Sequence, residues 1–246
     1  MQDHNNILSQ YLKRSAAIVA AFMIFSFTTS GHTSVITSGC SEAASCTLEE
    51  LFAGGSLTVN DKVFENWSPG PNELDSDFSQ IVVTGLDDGG NDPGPGLRYD
   101  LNGQASYIGA EFADDWWTTF FYFEVATSDG SAKINGASLT IIDFQLFDGR
   151  GGVEIVEYGR NFRGTLSVPN IYDPPPLYDS TSFDSQSRIQ IETELRIYAF
   201  QQFAGGSIDS FEQRFSQTVI PIPPALWLFG SGLLGLVGMA RCKKTA

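Results

Sequence analysis

Histidine is nearly absent from this chain of 246 residues, which has only His4 and His32. From position 33 onward the chain therefore lacks the side chain that most often acts as general base near neutral pH and most often ligates zinc. Catalytic triads of the Ser-His-Asp kind and histidine-dependent metal hydrolysis are disfavoured on this ground. We therefore expect a protein that is not an enzyme and that has no resident cofactor.

Basic residues are also scarce, with 14 Lys and Arg against 29 Asp and Glu and a formal net charge of −15. Residues 31–218 contain 28 of the acidic and nine of the basic residues, so this part alone carries −19. Such a charge repels the phosphates of nucleic acid, whose binding needs a basic patch, and it favours solubility and cation binding. Nucleic acid is excluded as a partner on this basis.

Cysteine is limited to three residues, and only Cys40 and Cys46 fall within the acidic segment. Because both ends of the chain indicate export, as argued below, we expect these two thiols to form a disulfide. A loop this short constrains little of the unfolded chain, so the bond would tie down the start of the domain. A reduced structural pair is the alternative, since two thiols alone supply too few ligands for zinc.

Long hydrophobic runs are confined to the two ends of the chain. Near the N-terminus, Lys13 and Arg14 precede the apolar run 15–27, and small polar residues follow at 28–31. A charged start, a short apolar stretch and small residues are typical of a secretory signal peptide. We therefore predict that residues 1–30 are a signal peptide handled by the secretion translocon and a signal peptidase, with a buried core helix as the alternative.

The second hydrophobic run belongs to the segment 219–246. A Pro-rich motif at 220–224 is followed by the uncharged stretch 225–240 and then by a basic cluster at 241–244. At 1.5 Å per residue the uncharged stretch spans about 24 Å, slightly less than the ~30 Å hydrocarbon core of a bilayer. Trp227 suits one membrane interface and the basic cluster suits the cytoplasmic one. The pattern predicts a C-terminal transmembrane helix, for which a plain tail anchor is the simplest role.

This segment resembles the PEP-CTERM sorting signal of exported bacterial proteins, which is also labelled the ice-binding protein C-terminal domain. In that family a Pro-Glu-Pro triplet precedes a Gly-rich transmembrane helix and a basic tail, and a membrane-embedded exosortase recognises and cuts the signal. The triplet maps onto Pro221, Ile222 and Pro223, with Ile222 where Glu is usual. The helix and the basic tail map onto Trp227, Gly230, Gly232, Gly235, Arg241, Lys243 and Lys244.

The resemblance implies both partners and a destination. The partners are an exosortase-type sorting enzyme and the membrane, which would hold the protein in transit. The destination is the cell surface or an extracellular matrix, often in bacteria that make exopolysaccharide. The phrases at 46–56 and 84–98 also resemble a recurrent ectodomain group among PEP-CTERM proteins, which implies no particular activity.

Residues 31–218 have the pattern of one β domain. Thr47-Leu48-Glu49-Glu50 has the form of a capping box and predicts a short helix that ends at Gly54-Gly55. Residues 189–197 alternate apolar odd-numbered with polar even-numbered positions, which indicates one buried and one solvated face. The predicted strands are 56–59, 62–67, 80–85, 97–101, 107–112, 119–126, 137–147, 153–158, 189–200 and 207–215. The pattern favours a mostly β fold, an antiparallel β-sandwich of which a jelly roll is one form.

Two segments, 87–96 and 169–187, are predicted loops because of their Gly, Pro and Asp content. The first offers hard oxygen ligands of the kind that calcium prefers. The candidate calcium ligands are Asp87, Asp88, Asn91 and Asp92. A solvated turn is the alternative, because the EF-hand pattern is absent.

Three hypotheses for the domain remain open. The leading one is a structural or adhesive surface protein in an exopolysaccharide or biofilm setting, with exposed aromatic rings that stack on sugars. The candidate rings are Trp67, Trp116, Trp117, Tyr172 and Tyr178, for which burial in the core of the sandwich is the alternative. The second is a carbohydrate-acting enzyme that uses the carboxylates of Asp114 and Asp115. The third is a permanently membrane-anchored binding module.

Overall fold

The structure is a computed structural model and describes residues 34–70, 77–109, 115–128, 130, 132–148, 150–159, 165–170 and 177–220. The predicted signal peptide, the sorting motif at Pro221, Ile222 and Pro223, and the helix predicted over 225–240 lie outside these residues. Within the described part of the chain, no helix combines the length and the apolarity that a membrane crossing requires.

Fourteen strands and one short helix make up the regular structure of the described residues. The strands are β1 Val35–Ser38, β2 Ser45–Thr47, β3 Ser56–Val59, β4 Lys62–Pro69, β5 Val82–Leu86, β6 Gly96–Ile108, β7 Asp115–Thr127, β8 Ala132–Phe147, β9 Gly151–Gly159, β10 Thr165–Asn170, β11 Tyr178–Gln186, β12 Arg188–Ala199, β13 Gly205–Arg214 and β14 Gln217–Val219. The helix, α1, is Leu48–Phe52.

The strands form two antiparallel sheets. The first sheet has the order β1-β3-β4-β7-β12-β9-β10, and the second has the order β11-β8-β13-β6-β5-β2. Strand β14 pairs with β8 beyond the end of β13, where Gln217 lies opposite Ile134. Aromatic rings from the two sheets meet between them, since the centroids of Tyr99 on β6 and Phe121 on β7 are 5.5 Å apart. The fold is therefore an antiparallel β-sandwich, as predicted.

Strand β12 confirms the predicted alternation. Ile189, Ile191, Leu195 and Ile197 are at most 1% exposed and belong to the core, whereas the even-numbered residues are partly or fully exposed. Burial of one face of each strand removes a large apolar area from water, which is the main stabilising contribution in a sandwich of this size.

The helix and the disulfide also form as predicted. The Thr47 hydroxyl accepts a hydrogen bond from the Glu50 amide, and the Glu50 carboxylate accepts one from the Thr47 amide at 2.8 Å. Gly54, with φ +102, follows the end of the helix. Cys40 and Cys46 are bonded, with their Cα atoms 5.2 Å apart.

The prediction of a loop over 169–187 is wrong at both ends, since Pro169 and Asn170 are the last residues of β10 and most of the second half is strand. Tyr178–Gln186 forms β11, which pairs with β8. One face of this edge strand is in contact with solvent, and its Ser, Thr and Asp residues are therefore polar. Polar residues of these types are also common in loops, which is why the sequence suggests a loop here. Phe183 is the residue of the strand that packs against the core. Hydrogen bonding to β8 therefore outweighs the weak strand propensity of this segment.

The separate strands predicted at 97–101 and 107–112 are also corrected, because 96–108 is a single strand. Asn102 and Gly103 adopt positive φ values of 50° and 79° within it. The pairing with β13 shifts register at this point, between the partners of Ile208 and Ser210. The Asn-Gly pair, which suggests a turn in sequence, here makes an irregularity inside a continuous strand.

Candidate functional site

The outer face of the first sheet carries a dense set of aromatic and charged side chains across β7, β12 and β9. We call this surface the aromatic-acidic face. It comprises Trp116, Thr118, Phe120, Tyr122 and Glu124 of β7, Arg188, Gln190, Glu192, Glu194, Arg196 and Tyr198 of β12, and Glu154, Val156 and Tyr158 of β9. These residues share a face because paired positions of antiparallel strands point the same way, and their neighbours on each strand lie in the core.

Arg196 organises the middle of this face. Its Nε and Nη2 atoms donate to the two carboxylate oxygens of Glu194 at 2.8 and 2.7 Å. Its Nη1 donates to Glu154 at 3.1 Å, and its Nη2 also donates to the Tyr158 hydroxyl at 3.1 Å. The hydrogen bonds to Glu194 are the main cause of a raised pKa for Arg196. The guanidinium thus stays charged and holds two carboxylates in fixed positions.

Tyr198 continues the same network towards the end of the strands. Its hydroxyl donates to the Glu154 carboxylate at 2.6 Å, and burial together with this bond raises the pKa of Tyr198 to about 12. Its ring stacks on Phe200 with centroids 5.9 Å apart. Trp116 is the register partner of Tyr198 and is 60% exposed. A flat apolar ring therefore stands beside an ordered set of hydrogen-bonding groups.

The other end of the face is held by Glu124. Gln190 and Asn66 each donate to its carboxylate at 2.8 Å, and Arg188 also donates to it. Arg188 further pairs with Glu65 at 3.0 Å. The hydrogen bond from Gln190 is the main cause of the lowered pKa of Glu124. Both arginines of this face are thus engaged by carboxylates.

The candidate rings divide between the core and the surface. Trp67 is 6% exposed and stacks on Phe123 with centroids 4.5 Å apart, so of the two roles that the sequence leaves open for this ring it has the one in the core. It lies at an inward-facing position of β4, and its indole donates to the Phe64 carbonyl at 3.2 Å. Trp117 packs partly against the core because it alternates with Trp116 along β7. Tyr178 is 50% exposed on the second sheet, and Tyr172 lies outside the described residues.

Of the two carboxylates that the enzyme hypothesis uses, Asp114 and Asp115, only Asp115 belongs to the described residues. Asp115 is the first residue of β7 and pairs with Ala199. Asp114 lies outside the described part of the chain.

Two side chains of the acidic loop at 87–96 contact the end of β13 and the residues that follow it. Asp88 accepts a hydrogen bond from Arg214 at 2.6 Å, and this bond is the main cause of the lowered pKa of Asp88. Asp92 accepts a hydrogen bond from the Ser216 hydroxyl at 2.9 Å. Two of the four predicted calcium ligands are thus engaged by protein donors.

Asn91 is bound in the same way, through a chain of polar contacts that reaches the interior. Its side-chain oxygen accepts from Gln217 at 3.1 Å, and the Gln217 oxygen in turn accepts from the ammonium of Lys62. Lys62 is fully buried, and desolvation lowers its pKa. For Asp87, the backbone carbonyl accepts from Asn60 at 3.0 Å. Among the described residues, no three or more His, Cys, Asp or Glu side chains cluster in a way that would hold a metal ion.

A concave site lies on the outer face of the second sheet, between β8, β11 and the acidic loop. We call it the hydroxyl pocket. It has a volume of about 310 Å³ and is lined by Asp92, Asn135, Gly136, Ala137, Ser138, Tyr178, Ser180, Thr181, Ser182 and Ser216. The side-chain nitrogen of Asn135 donates to the Thr218 hydroxyl at 2.7 Å, whereas its buried oxygen has no hydrogen-bond partner among the described residues.

A wider depression of about 600 Å³ lies on the same face and is lined by Val82, Arg98, Asp100, Asn102, Gly103, Asp143, Asp209 and Ser210. Its Arg98 donates to Asp100 at 3.0 Å. No aromatic ring is among these lining residues, so the depression lacks a stacking surface.

A cluster of polar residues is buried between the sheets, and sequence reasoning missed it. Tyr99 donates to the Gln213 oxygen at 2.8 Å, and Gln213 donates to the Thr193 hydroxyl at 2.6 Å. Glu157 is 2% exposed, and neither of its carboxylate oxygens meets a hydrogen-bond partner among the described residues. Desolvation is the main cause that raises the pKa of Glu157 to about 8, and the neighbouring Gln213 side chain acts in the opposite direction.

The sequence does contain a signal for this cluster. Glu157 has the same parity along β9 as Val153 and Ile155, which face the core. Thr193 lies in the same way between Ile191 and Leu195 of β12. A polar residue at an inward-facing position of a strand predicts a buried polar contact.

No protein-family model matches the chain, and no curated protein matches it. Among solved structures, the chain is similar to the carbohydrate-binding module TmCBM61 in complex with beta-1,4-galactotriose, with 9% identity and a TM-score of 0.25 over 64% of this chain and 88% of that one. It is also similar to endoglucanase 3 of family GH12 from Trichoderma harzianum, with 9% identity and a TM-score of 0.21 over 63% and 97% of the two chains.

A further similarity is to dimeric latent PorU from Porphyromonas gingivalis, with 14% identity and a TM-score of 0.27 over 77% of this chain and 24% of that one. Likenesses at these scores carry no argument about function.

Proposed function

We propose that this chain is an exported surface protein whose β-sandwich binds polysaccharide without cleaving it, through the aromatic-acidic face. The observation that carries the proposal is the position of Trp116, 60% exposed, beside the hydrogen-bonded set of Tyr198, Glu154 and Arg196. A pyranose ring presents apolar C–H groups to an aromatic ring and hydroxyls to polar groups at its edge. A site for such a ligand needs both kinds of partner on one surface.

The ordered side chains of this face favour binding. Arg196 and Glu194 form a two-point pair, and Glu154 accepts from both Arg196 and Tyr198. Groups that are already held in place lose little conformational freedom when a ligand hydroxyl reaches them. A surface that extends across three adjacent strands suits an extended polymer better than a small molecule.

Among the described residues, the position of the one carboxyl group with a raised pKa favours a binding role over catalysis. A glycosidase needs a carboxylic acid that stays protonated near neutral pH and that reaches the glycosidic oxygen. Glu157 has a pKa of about 8, but it is 2% exposed and points between the sheets. It therefore cannot reach a polymer on the outer face.

Export is the second part of the proposal and is supported by the sequence at both ends. The predicted signal peptide at 1–30 would direct translocation, and the segment 219–246 would direct sorting by an exosortase-type enzyme near Pro221, Ile222 and Pro223. A bonded Cys40–Cys46 pair is in keeping with an oxidising compartment. The protein would be membrane-anchored in transit and then displayed at the cell surface or in the matrix.

The test of binding is a glycan array probed with the full chain, combined with an assay for new reducing ends on each polysaccharide that is bound. We expect binding without turnover. Hydrolysis that is abolished by Asp114→Asn or Asp115→Asn would instead establish the enzyme hypothesis. An array without any bound polysaccharide would contradict the binding proposal.

The test of export is mass spectrometry of both mature termini, in cells with and without the sorting enzyme. We expect an N-terminus near residue 31 and a C-terminus near 221–223 that depends on the enzyme. A mature protein that keeps residues 225–246 in both strains would favour the permanent anchor.

A further inference from the structure

The hydroxyl pocket lies at a defined place in the fold. Strands β8 and β11 supply its floor, because Ser180 pairs with Ser138 and Ser182 pairs with Gly136 on the outer face of the second sheet. Asp92 of the acidic loop and Ser216 form one side, and they are joined by a hydrogen bond of 2.9 Å. The pocket is thus formed by two strands and by a loop that is itself bound to the sheet.

Gly136 lies in the floor of the pocket, and its lack of a side chain leaves the pocket open. A Cβ atom added there would lie 3.0 Å from the Thr181 carbonyl oxygen and 3.3 Å from the Ser216 Cβ. Both distances are tighter than ordinary van der Waals contact, so any larger residue would displace its neighbours and fill the space. The absence of a side chain at this position is therefore what leaves room for a ligand.

The polar groups of the pocket suit a ligand that both donates and accepts hydrogen bonds. The Asn135 amide is oriented by its donation to Thr218 at 2.7 Å, which leaves its buried oxygen without a partner among the described residues. Because that oxygen is closed off from solvent, a ligand in the pocket meets the hydroxyl groups and the Asp92 carboxylate instead. Serine hydroxyls on the floor act as either donor or acceptor, as the ligand requires.

Charge and size narrow the ligand class. Asp92 is the one charged residue among those that line the pocket, and none of them is basic, so an anionic ligand is disfavoured. The volume of about 310 Å³ is at the lower end of the range for small-molecule sites. The ring of Tyr178, 50% exposed, lines the same pocket and offers a stacking surface.

We propose that the hydroxyl pocket binds a single neutral pyranose, such as the terminal hexose of a glycan chain. The hexose would stack on Tyr178 and exchange hydrogen bonds with Ser180 and Ser182. This site lies on the opposite sheet from the aromatic-acidic face and does not depend on it. If both sites act, one molecule can connect two glycan chains, a consequence that also depends on the proposed function.

The test is saturation-transfer NMR on the full 246-residue chain, in a detergent without a sugar headgroup, with D-glucose, D-galactose and N-acetylglucosamine as separate probes. We expect transfer to the ring protons of at least one hexose. The signal should be lost in Tyr178→Ala, and affinity should fall about threefold to tenfold in Ser180→Ala, the effect of one lost hydrogen bond. Ser106→Ala, an exposed serine on the same sheet, is the matched control and should bind as the original chain does.

Several results would overturn the proposal. One is no transfer to any of the three hexoses in a chain that shows its normal thermal unfolding. Another is a signal that survives in Tyr178→Ala but disappears in Trp116→Ala, which would assign the hexose to the aromatic-acidic face. A signal that appears only after calcium is added would show that hexose binding depends on a cation and not on the hydroxyl groups alone.

One further result would support the proposal. If Trp116→Ala loses polysaccharide binding but retains hexose binding, the pocket is a binding site independent of the aromatic-acidic face.

Discussion

Glu157 and Thr193 lie opposite each other on β9 and β12, and both side chains point into the core, where Glu157 is 2% exposed and Thr193 is fully buried. The Thr193 hydroxyl accepts a hydrogen bond from Gln213, whereas the Glu157 oxygens have no partner among the described residues. A buried carboxylate without partners is costly, so the folded protein keeps this group protonated.

This relationship predicts how stability depends on pH. Desolvation raises the pKa of Glu157 from 4.5 to about 8 in the folded state. Since the unfolded chain releases this proton at a lower pH than the folded chain does, the contribution of Glu157 to stability is complete below 4.5. It falls as the pH rises towards about 8 and is absent above that value. Urea unfolding across this range measures the effect.

Glu157→Gln removes the ionisable group and keeps its shape. We expect the free energy of unfolding at neutral pH to rise by about 1–3 kcal/mol, and its decline between about pH 5 and pH 8 to become shallower. Glu42→Gln, at an exposed position, is the control and should keep the original pH dependence. A Glu157→Gln protein with unchanged stability and an unchanged pH profile would show that the carboxyl is already ionised in the folded state.

Calcium is expected to leave the thermal midpoint unchanged. Asp88 is bound by Arg214, Asp92 by Ser216 and Asn91 by Gln217, so a cation would have to replace existing protein contacts. The measurement is a thermal melt in calcium, with the same concentration of magnesium as the control for ionic strength. A rise in the midpoint with calcium alone would support the site at Asp87, Asp88, Asn91 and Asp92.

The Cys40–Cys46 bond is expected to contribute modestly to stability. A sequence separation of six gives a small closed loop, worth about 2 kcal/mol in the chain-entropy account. Glu50 would hold part of this region without the bond, because its carboxylate accepts from the Ser41 and Thr47 amides at 2.9 and 2.8 Å.

We therefore expect the double variant Cys40→Ala with Cys46→Ala to fold and to melt about 5 °C lower. Oxidised and reduced samples of the original chain provide the matched comparison. A loss of cooperative unfolding in the variant would instead mean that the bond holds the whole domain together.

Much of the fold follows from local patterns in the sequence. The alternation along β12, the capping box at Thr47 and Glu50 and the Cys40–Cys46 bond all depend on near neighbours in the chain, and all three are confirmed. The sandwich follows because strands with one apolar face must bury it against another sheet.

Other features depend on contacts between distant segments and were missed or predicted wrongly. Strand β11 forms because β8 offers it a hydrogen-bonding edge, which its Ser and Asp residues do not indicate. Trp67 is a residue of the type that often stacks on sugar ligands, but its ring lies against Phe123 in the core. The aromatic-acidic face needs the register of β7, β12 and β9, which brings Trp116, Tyr198 and Glu154 together from three separate strands.

The most direct test of the proposed function is the equilibrium affinity for a polysaccharide identified on the array. It is measured for four full-length proteins, the original chain and the variants Trp116→Ala, Trp116→Phe and Ile36→Ala. Ile36 is 58% exposed on β1, at the edge of the sheet, and controls for the loss of an exposed apolar side chain. We expect Trp116→Ala to bind about threefold to tenfold more weakly, the effect of one lost aromatic contact, while Trp116→Phe retains most of the affinity and Ile36→Ala retains all of it. Equal affinity of all four proteins would contradict binding at the aromatic-acidic face.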